Sequence, residues 1–445
     1  MTFPIAEAAP IAFADPLPAA CDLVVVGGGV IGVCAALFAA ERGLKVVVCE
    51  KGRIAGEQSS RNWGWIRQQG RDPDELPIVI EAIRHWQGFE AETKGALGLV
   101  RSGVLYAART PARMAAYEAW LPHARAHGVD TRALSRAEMA AMLPGAAVPY
   151  AGGLWTASDH RAEPWAAVPA LARLAQARGV AIREACAVRA LDVQAGQVAG
   201  VVTEAGTIRA PQAIVAAGAW SRLFLGAHGV RIPQLSVLAS VVATDPVPGL
   251  FAGNLSDEAY AFRTRADGGL TVAPGGEHDF FIGPDAFASL RPYLGSLRRD
   301  FRATTFRAAA PRGYPDAWRT PRRWSGASPF EACRILAPAP SRRALDRALA
   351  ALRAAFPQAG TLRIRTAWAG MIDTLPDVVP VIDRIAALPG LIVATGMSGH
   401  GFGIGPGVGR VLADMAAGKA PGHDLRRFRH ARFSDGSRLD PGPAL

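Results

Sequence analysis

The segment VVVGGGVIGVCAALFAAERGLKVVVCEKG, residues 24–52, sets Gly27, Gly29 and Gly32 in GxGxxG register and places Glu50 18 residues after the last of them. Each glycine has its own task. The first allows a tight turn, the second lets backbone N–H groups approach a pyrophosphate, and the third lets a helix pack closely on a strand. A pyrophosphate held there lies against the positive end of a helix dipole. Val30 and Ile31 share the turn and join the cofactor-binding candidates. Glu50 can accept hydrogen bonds from both ribose hydroxyls of an adenosine and would repel a 2′-phosphate, which argues against an NADP-type dinucleotide.

The flanking residues supply the elements this chemistry needs. Three valines after Leu23 read as a buried strand, VCAALFAAERG has apolar residues at helical spacing and stops at Gly43, and KVVVCE is a second strand. This is a βαβ unit, and it does not separate FAD from NAD. A second glycine cluster, Gly396 to Pro406, lies between the strand LIVAT and a helix expected over GVGRVLADMAAG. Its glycines let backbone approach a flat ligand, and helix-start N–H groups stabilise negative charge such as a reduced flavin carries. An NAD enzyme has no need of this second loop. A third segment, APQAIVAAGAWSRLF, is a strand running into Ala217, Gly218 and Trp220, preceded by a hairpin pattern over residues 186–210.

A chain of 445 residues predicts two domains or an interleaved pair. No stretch approaches the roughly 20 apolar residues of a membrane helix. Residues 1–20 lack Lys and Arg, so they read as a flexible Pro/Ala-rich tail and not a secretory signal, and the expected location is the cytoplasm. The net charge is +11, yet only Lys45, Lys51, Lys94 and Lys419 are lysines, and the arginines are scattered. No aromatic-basic nucleic-acid module is present, so no nucleic-acid partner is expected, while peripheral attachment at the inner membrane face stays open. Five dispersed cysteines without CxxC spacing argue against a disulfide framework and a metal site.

Together, VVVGGGVIG with CEKG, AAGAWS, and LPDVVPVID…TGMSGHGFGIGPGVGR resemble the D-amino-acid oxidase / sarcosine oxidase / glycine oxidase family of FAD-dependent amine oxidoreductases, over roughly Asp22 to Lys419. The resemblance implies an α/β fold with a Rossmann-like FAD-binding domain built from discontinuous segments (residues 21–98, 158–232 and 365–425). It also implies a mixed or antiparallel β-sheet substrate domain (99–157 and 233–364), a glutathione-reductase-2-like arrangement, with residues 426–445 as a C-terminal tail. It implies that Glu50 and the following Lys51 serve the adenosine, that Val188 contacts adenine through its backbone, and that Gly399, His400, Gly401, Phe402, Gly403 and Ile404 wrap the flavin ring. Gly370 stands where sarcosine oxidases carry the Cys that bonds their flavin, so FAD is expected to be non-covalent. No Lys lies between Lys94 and Lys419 to match the family's oxygen-activating Lys. The acceptor is therefore either oxygen or a quinone or other electron-transfer partner.

After Glu50, the implied loop under the phosphates offers Ser59 and Ser60, then Arg61 near the ring. WGWIRQQGR adds Arg67 and Arg71 as candidates to clamp a substrate carboxylate in bidentate geometry. Arg61, Arg67, Tyr260 and Trp368 are the candidate substrate-positioning residues, with Met371 beside Gly370 on the cofactor. The hairpin AYAFRTRADGGLTVAP places Tyr260 and Phe262 on one face and Arg263 on the other. The chemistry implied is hydride transfer from an amine carbon to flavin, giving an imine that water hydrolyses, on an amino acid or secondary amine. The alternatives are a 2-hydroxyacid or polyol dehydrogenase of the same fold, an electron-relaying flavin subunit without its own substrate, and an NAD enzyme.

Overall fold

In a computed structural model, which describes residues 3–442, Leu23–Val26 lies inside a six-stranded sheet. The order is Val381–Arg384, Leu391–Thr395, Ala213–Val215, Leu23–Val26, Val46–Cys49 and Ala181–Arg183, parallel except for the first strand. Every residue of Leu23–Val26 is buried because both faces are covered. Leu23 and Val25 pack on a helical layer, Val30–Glu41, Pro164–Ala177 and Gly401–Ala416, whereas Val24 and Val26 face the other side. There a three-stranded sheet, Val188–Gln194, Gln197–Thr203 and Gly206–Arg209, contributes Val188, Leu191 and Val201.

The second glycine cluster differs from the expected loop. The helix begins at Gly401, six residues before the expected start at Gly407, and runs through Pro406 to Ala416. Packing on Val30–Glu41 overrides the weak helix propensity of its glycines. A Cβ at Gly409 would sit 2.5 Å from the Cys34 Cβ, so the close helix approach needs glycine there.

A ten-stranded sheet forms the second layer system. Along it run Thr304–Arg307, His278–Phe281, Leu235–Pro246, Gly269–Pro274, Tyr260–Thr264, Asn254–Ser256, Val104–Ala108, Gly152–Thr156 and Thr131–Leu134, and Ile364–Thr374 pairs beside Leu235–Pro246. Most neighbours are antiparallel, and the hairpin Tyr260–Thr264/Gly269–Pro274 matches its sequence expectation. Helix Arg342–Ala355 covers one face with Leu345, Leu349 and Leu352.

Both ends of the chain depart from the tails expected. Phe13 is only 2 % exposed, and Phe3 stacks on Trp165 at 4.3 Å. The Glu184 carboxylate accepts from the amides of Ala12 (2.7 Å), Phe13 (3.3 Å) and Ile54 (2.7 Å), fastening the N-terminal stretch to the loop after Glu50. Near the C-terminus, Phe428 is fully buried, and buried Arg432 pairs with Asp377 at 2.8 Å. Short apolar anchors within Pro/Ala-rich stretches carry no periodic signal, which is why sequence reading leaves them loose. Among the described residues no helix is long and apolar enough to cross a membrane, and no cluster of metal-ligating side chains is present.

Replacing Glu184 with Ala would leave three amides without their acceptor. We expect a loss of about 1–3 kcal/mol in unfolding free energy and faster protease cleavage within residues 3–15, read by denaturant melts and mass spectrometry.

Candidate flavin and substrate site

The loops at the C-terminal ends of the parallel strands border a cleft of about 370 Å³ that continues toward the antiparallel sheet. Its first wall is the glycine turn. Gly27 has φ +112°, and a Cβ there would lie 2.5 Å from the carbonyl oxygen of Ala216. At Gly32 a Cβ would lie 2.0 Å from the Gly27 oxygen, so turn, helix and neighbouring strand meet backbone to backbone. Gly29, Val30 and Ile31 line the cleft, and Gly32 lies behind them. The Val30 amide donates to Ser59 Oγ at 2.9 Å. Ser60 faces away, receiving the Ile5 amide at 3.3 Å.

Glu50 closes one end of the cleft. Its carboxylate accepts from the amides of Gly28 and Gly52, each at 2.7 Å. Burial raises its pKa, opposed by the Lys51 ammonium and those two amides. Lys51 reaches the wall, but its Nζ is held by Glu57 at 2.6 Å and by the carbonyls of Cys333 and Arg334, over the Trp220 ring. Trp220 itself donates to Glu57 at 3.0 Å. Val188, Ala217 and Gly218 complete this end. Of the five cysteines, Cys49 lines the cleft and the rest stand away from it.

At the other end, Leu235–Pro246 and Ile364–Thr374 present Ala239, Val241, Gly370 and Ile372, with Ala239 directly across from Gly370. Two small residues side by side make a flat surface. Met371 points through the sheet into the opposite core, because alternate strand residues face opposite ways. Gly399, His400, Gly401 and Phe402 bring the start of helix Gly401–Ala416 to the cleft, where its first amides lack intrahelical partners. Gly403 and Ile404 do not reach it. A Cβ at Gly403 would face the Ile66 Cα at 3.4 Å, and its carbonyl accepts from Trp86 Nε1 at 3.0 Å. His400 Nδ1 lies 3.2 Å from the fully buried Glu75, and burial, with Arg71 nearby, pushes the imidazole pKa down to about 4.

The substrate-positioning candidates separate. Tyr260 is buried in the second domain's core, its hydroxyl 3.0 Å from that of Tyr150. Trp368 donates to the Arg61 carbonyl at 2.9 Å and packs edge-on against Phe3. Arg61 borders the cleft, but its guanidinium donates to the carbonyls of Gly56 (3.1 Å), Ala369 (3.1 Å) and Ile5 (3.4 Å), which makes it a brace. Arg263 is spent on Glu163 at 2.8 Å. The partners of Arg61, Tyr260 and Trp368 come from distant segments and leave no trace in local spacing.

Arg67 and Arg71 do converge on the cleft. Their turn is built by the buried carboxylate of Asp159, which accepts from the Gln68 amide at 2.7 Å and the Gln69 amide at 3.4 Å. Burial pushes the Asp159 pKa up to about 7. Arg67 donates to the Gln69 carbonyl and lies over the Tyr106 ring at 5.3 Å. Arg71 Nε donates to the Arg67 carbonyl at 3.4 Å, and its Nη1 is buried with no hydrogen-bond partner among the described residues. Burial and the neighbouring Arg67 push the Arg71 pKa down to about 9. Trp63, Trp65 and Tyr106 stand around this pair. Asp159 and Tyr106 escaped sequence reading, since single acids and aromatics carry no spacing signal.

A cradle that excludes Cβ atoms, an acid at the second strand's end, two helix N-termini and a flat apolar floor fit an FAD lying extended through the cleft. The comparisons agree. The sequence profile of the FAD-dependent oxidoreductase (DAO) family matches residues 22–415, and the chain belongs to that family. It is 28% identical over 435 residues to the sarcosine oxidase subunit beta of Rhizobium meliloti, covering 96% of this chain and 91% of that one. It is 26% identical over 421 residues to the N-methyl-L-tryptophan oxidase of Citrobacter koseri, covering 93% and 99%. The L-amino acid deaminase from Proteus myxofaciens, solved with anthranilate, superposes with TM-score 0.91 at 29% identity over 96% of this chain and 97% of that one. These relatives carry amine or amino-acid names, which favours C–N over C–O oxidation, and the protein is an FAD-dependent oxidoreductase.

The Gly32→Ala variant should purify with at least about tenfold less yellow chromophore per chain, because its Cβ forces the turn open. Gly226→Ala, where a Cβ meets nothing within 4 Å, should keep its colour. Visible absorbance after gel filtration reads both.

Proposed function

We propose that the protein oxidises the C–N bond next to the carboxylate of an amino acid or N-alkyl amino acid, holding that carboxylate on Arg71 and Arg67. The observation that carries this reading is Arg71 on the cleft wall, buried, with no carboxylate in ion-pair contact among the described residues and with its Nη1 making no hydrogen bond there. A buried donor without an acceptor costs about 1–3 kcal/mol, and a substrate carboxylate would supply the acceptor. Family membership supports the redox half of the reading.

FAD, when bound, supplies the acceptor for the hydrogen that leaves the amine carbon. The chain's residues do the rest. Arg71 and Arg67 fix one end of the substrate, while Trp63, Trp65 and Tyr106 enclose its side chain and keep water out. The two guanidiniums also disfavour the substrate's ammonium form, so the neutral amine needed for oxidation is favoured. His400, held uncharged by burial, adds no competing cation. The amides opening helix Gly401–Ala416 stabilise negative charge at the far side of the cleft. Gly27, Gly29, Val30, Ile31 and Ser59 serve the phosphates in this reading, Glu50 the ribose and Val188 the adenine, and FAD is held without a covalent bond.

The cleft wall carries Lys51 alone among the four lysines, and Glu57 occupies its ammonium. We therefore propose a quinone-type electron acceptor over oxygen, in the cytoplasm at the inner membrane face.

Anaerobic addition of amino acids or N-methyl amino acids should bleach the visible flavin band. Bleaching by 2-hydroxy acids and by no amine would overturn the reading. The colour should return far faster with a soluble quinone than with air. Arg71→Leu should raise KM about a hundredfold for carboxylate substrates, the loss of a charge-assisted hydrogen bond. Phenylacetate, a carboxylate without an amine, should bind the wild type and bind Arg71→Leu at least about tenfold more weakly. Flavin difference spectra read both affinities, and equal binding by the two proteins would exclude Arg71 as the anchor.

A further inference from the structure

The segment that borders the cofactor loop also bears an unusual outer face. Ten large hydrophobic side chains are exposed among the described residues, and six of them fall at Phe287, Leu290, Leu294, Phe301, Phe306 and Trp318. Isolated exposed apolar residues are normal, but this clustering is not. Phe287 is 63 % exposed and Phe301 60 %, beyond what partial cover by neighbours allows. Leu290 and Leu294 lie one turn apart on helix Leu290–Asp300, which has no buried residue. The rings of Phe287 and Trp318 meet at 6.0 Å, and those of Phe301 and Phe306 at 5.4 Å, so the aromatics pair with each other and not with the core.

The same stretch is strongly basic. Residues 287–319 hold seven arginines, two acids and no Lys or Glu. Of the acids, Asp300 pairs with Arg299 at 3.0 Å and Asp316 with Arg322 at 2.8 Å. Apolar side chains that can enter an acyl boundary, ringed by cations, match the chemistry of an anionic lipid surface. A second copy seated face to face would oppose arginine to arginine, which disfavours a symmetric dimer here.

We propose that the face carrying Phe287, Leu290, Leu294, Phe301 and Trp318 docks the protein on an anionic bilayer. The inference rests in part on the quinone reading above, because a quinone is a lipid-phase acceptor. It also has a structural link to the site. The chain leaving this face contacts the cofactor loop through the carbonyls of Cys333 and Arg334, which receive Lys51 Nζ at 2.7 and 3.0 Å, and Phe330 lines the cleft. Docking would thus set the cleft beside the membrane.

The test uses the FAD-loaded full chain and flotation with vesicles. Vesicles of phosphatidylcholine with phosphatidylglycerol should carry the protein at low salt and release it at high salt, and phosphatidylcholine alone should carry little. The double variant Phe287→Ser/Phe301→Ser should bind at least about tenfold more weakly, with bleaching by substrate and reoxidation by a soluble dye unchanged. On anionic vesicles, wild type should show a blue-shifted tryptophan emission component that Trp318→Phe lacks. No flotation at low salt, or flotation unchanged in the double variant, would overturn the proposal. So would a dimer in light scattering that the double variant splits, since the face would then be covered by a second copy. Flotation is read without turnover, so a protein that floats but oxidises no amine refutes the proposed function and leaves the docking surface standing.

Discussion

The rest of the site depends on a backbone-to-backbone contact. At Gly27 and Gly32 the chain is packed so tightly that a methyl group would enter the space of a carbonyl oxygen. That approach seats helix Val30–Glu41 on the parallel sheet, aims its N-terminus into the cleft and sets Glu50 at the edge of the next strand. A second close approach, at Gly409 against Cys34, brings helix Gly401–Ala416 alongside and its N-terminus to the cleft. Two helix ends therefore point at one cleft, one at the glycine turn and one at the flat end. Dipoles fixed by packing need no reorganisation when a ligand arrives.

The arginine-lined end of the cleft follows a different principle, controlled frustration of buried charge. Arg61 and Arg263 are buried and satisfied, by backbone carbonyls and by Glu163. Arg71 is buried and incompletely satisfied, and its pKa falls accordingly. Its near carboxylates are already committed, Glu75 toward His400 and Asp159 to the amides of the turn. The fold therefore spends its acids on holding the turn and leaves Arg71, at the cleft wall, with an unused hydrogen-bond donor. In the proposed reading such a site selects an anionic group, and the aromatics around it give that group a dry neighbourhood.

Peripheral segments complete the same design. The N-terminal stretch crosses the cofactor loop and shares Glu184 with it, while the stretch after Cys333 grips that loop through Lys51 and Glu57. The loop between strand and flavin is thus held from two sides by chain that sequence patterning would assign to a tail and an excursion.

The sequence by itself determined the cofactor half. GxGxxG between a valine strand and an apolar helix, an acid ending the next strand and a late glycine cluster are local patterns, each set by short-range sterics and dipoles, and their chemistry follows from spacing alone. The interleaved two-layer architecture followed from a resemblance that those same patterns carried. Only the tertiary structure decided which side chains face the cleft. Tyr260, Trp368 and Met371 are plausible on their strands, yet pleat direction and partners a hundred or more residues away turn them into the core, while Tyr106 is brought beside Trp65 and Arg71 from a separate segment. Side-chain orientation and hydrogen-bond satisfaction are set by non-local packing, and no single stretch of sequence records them.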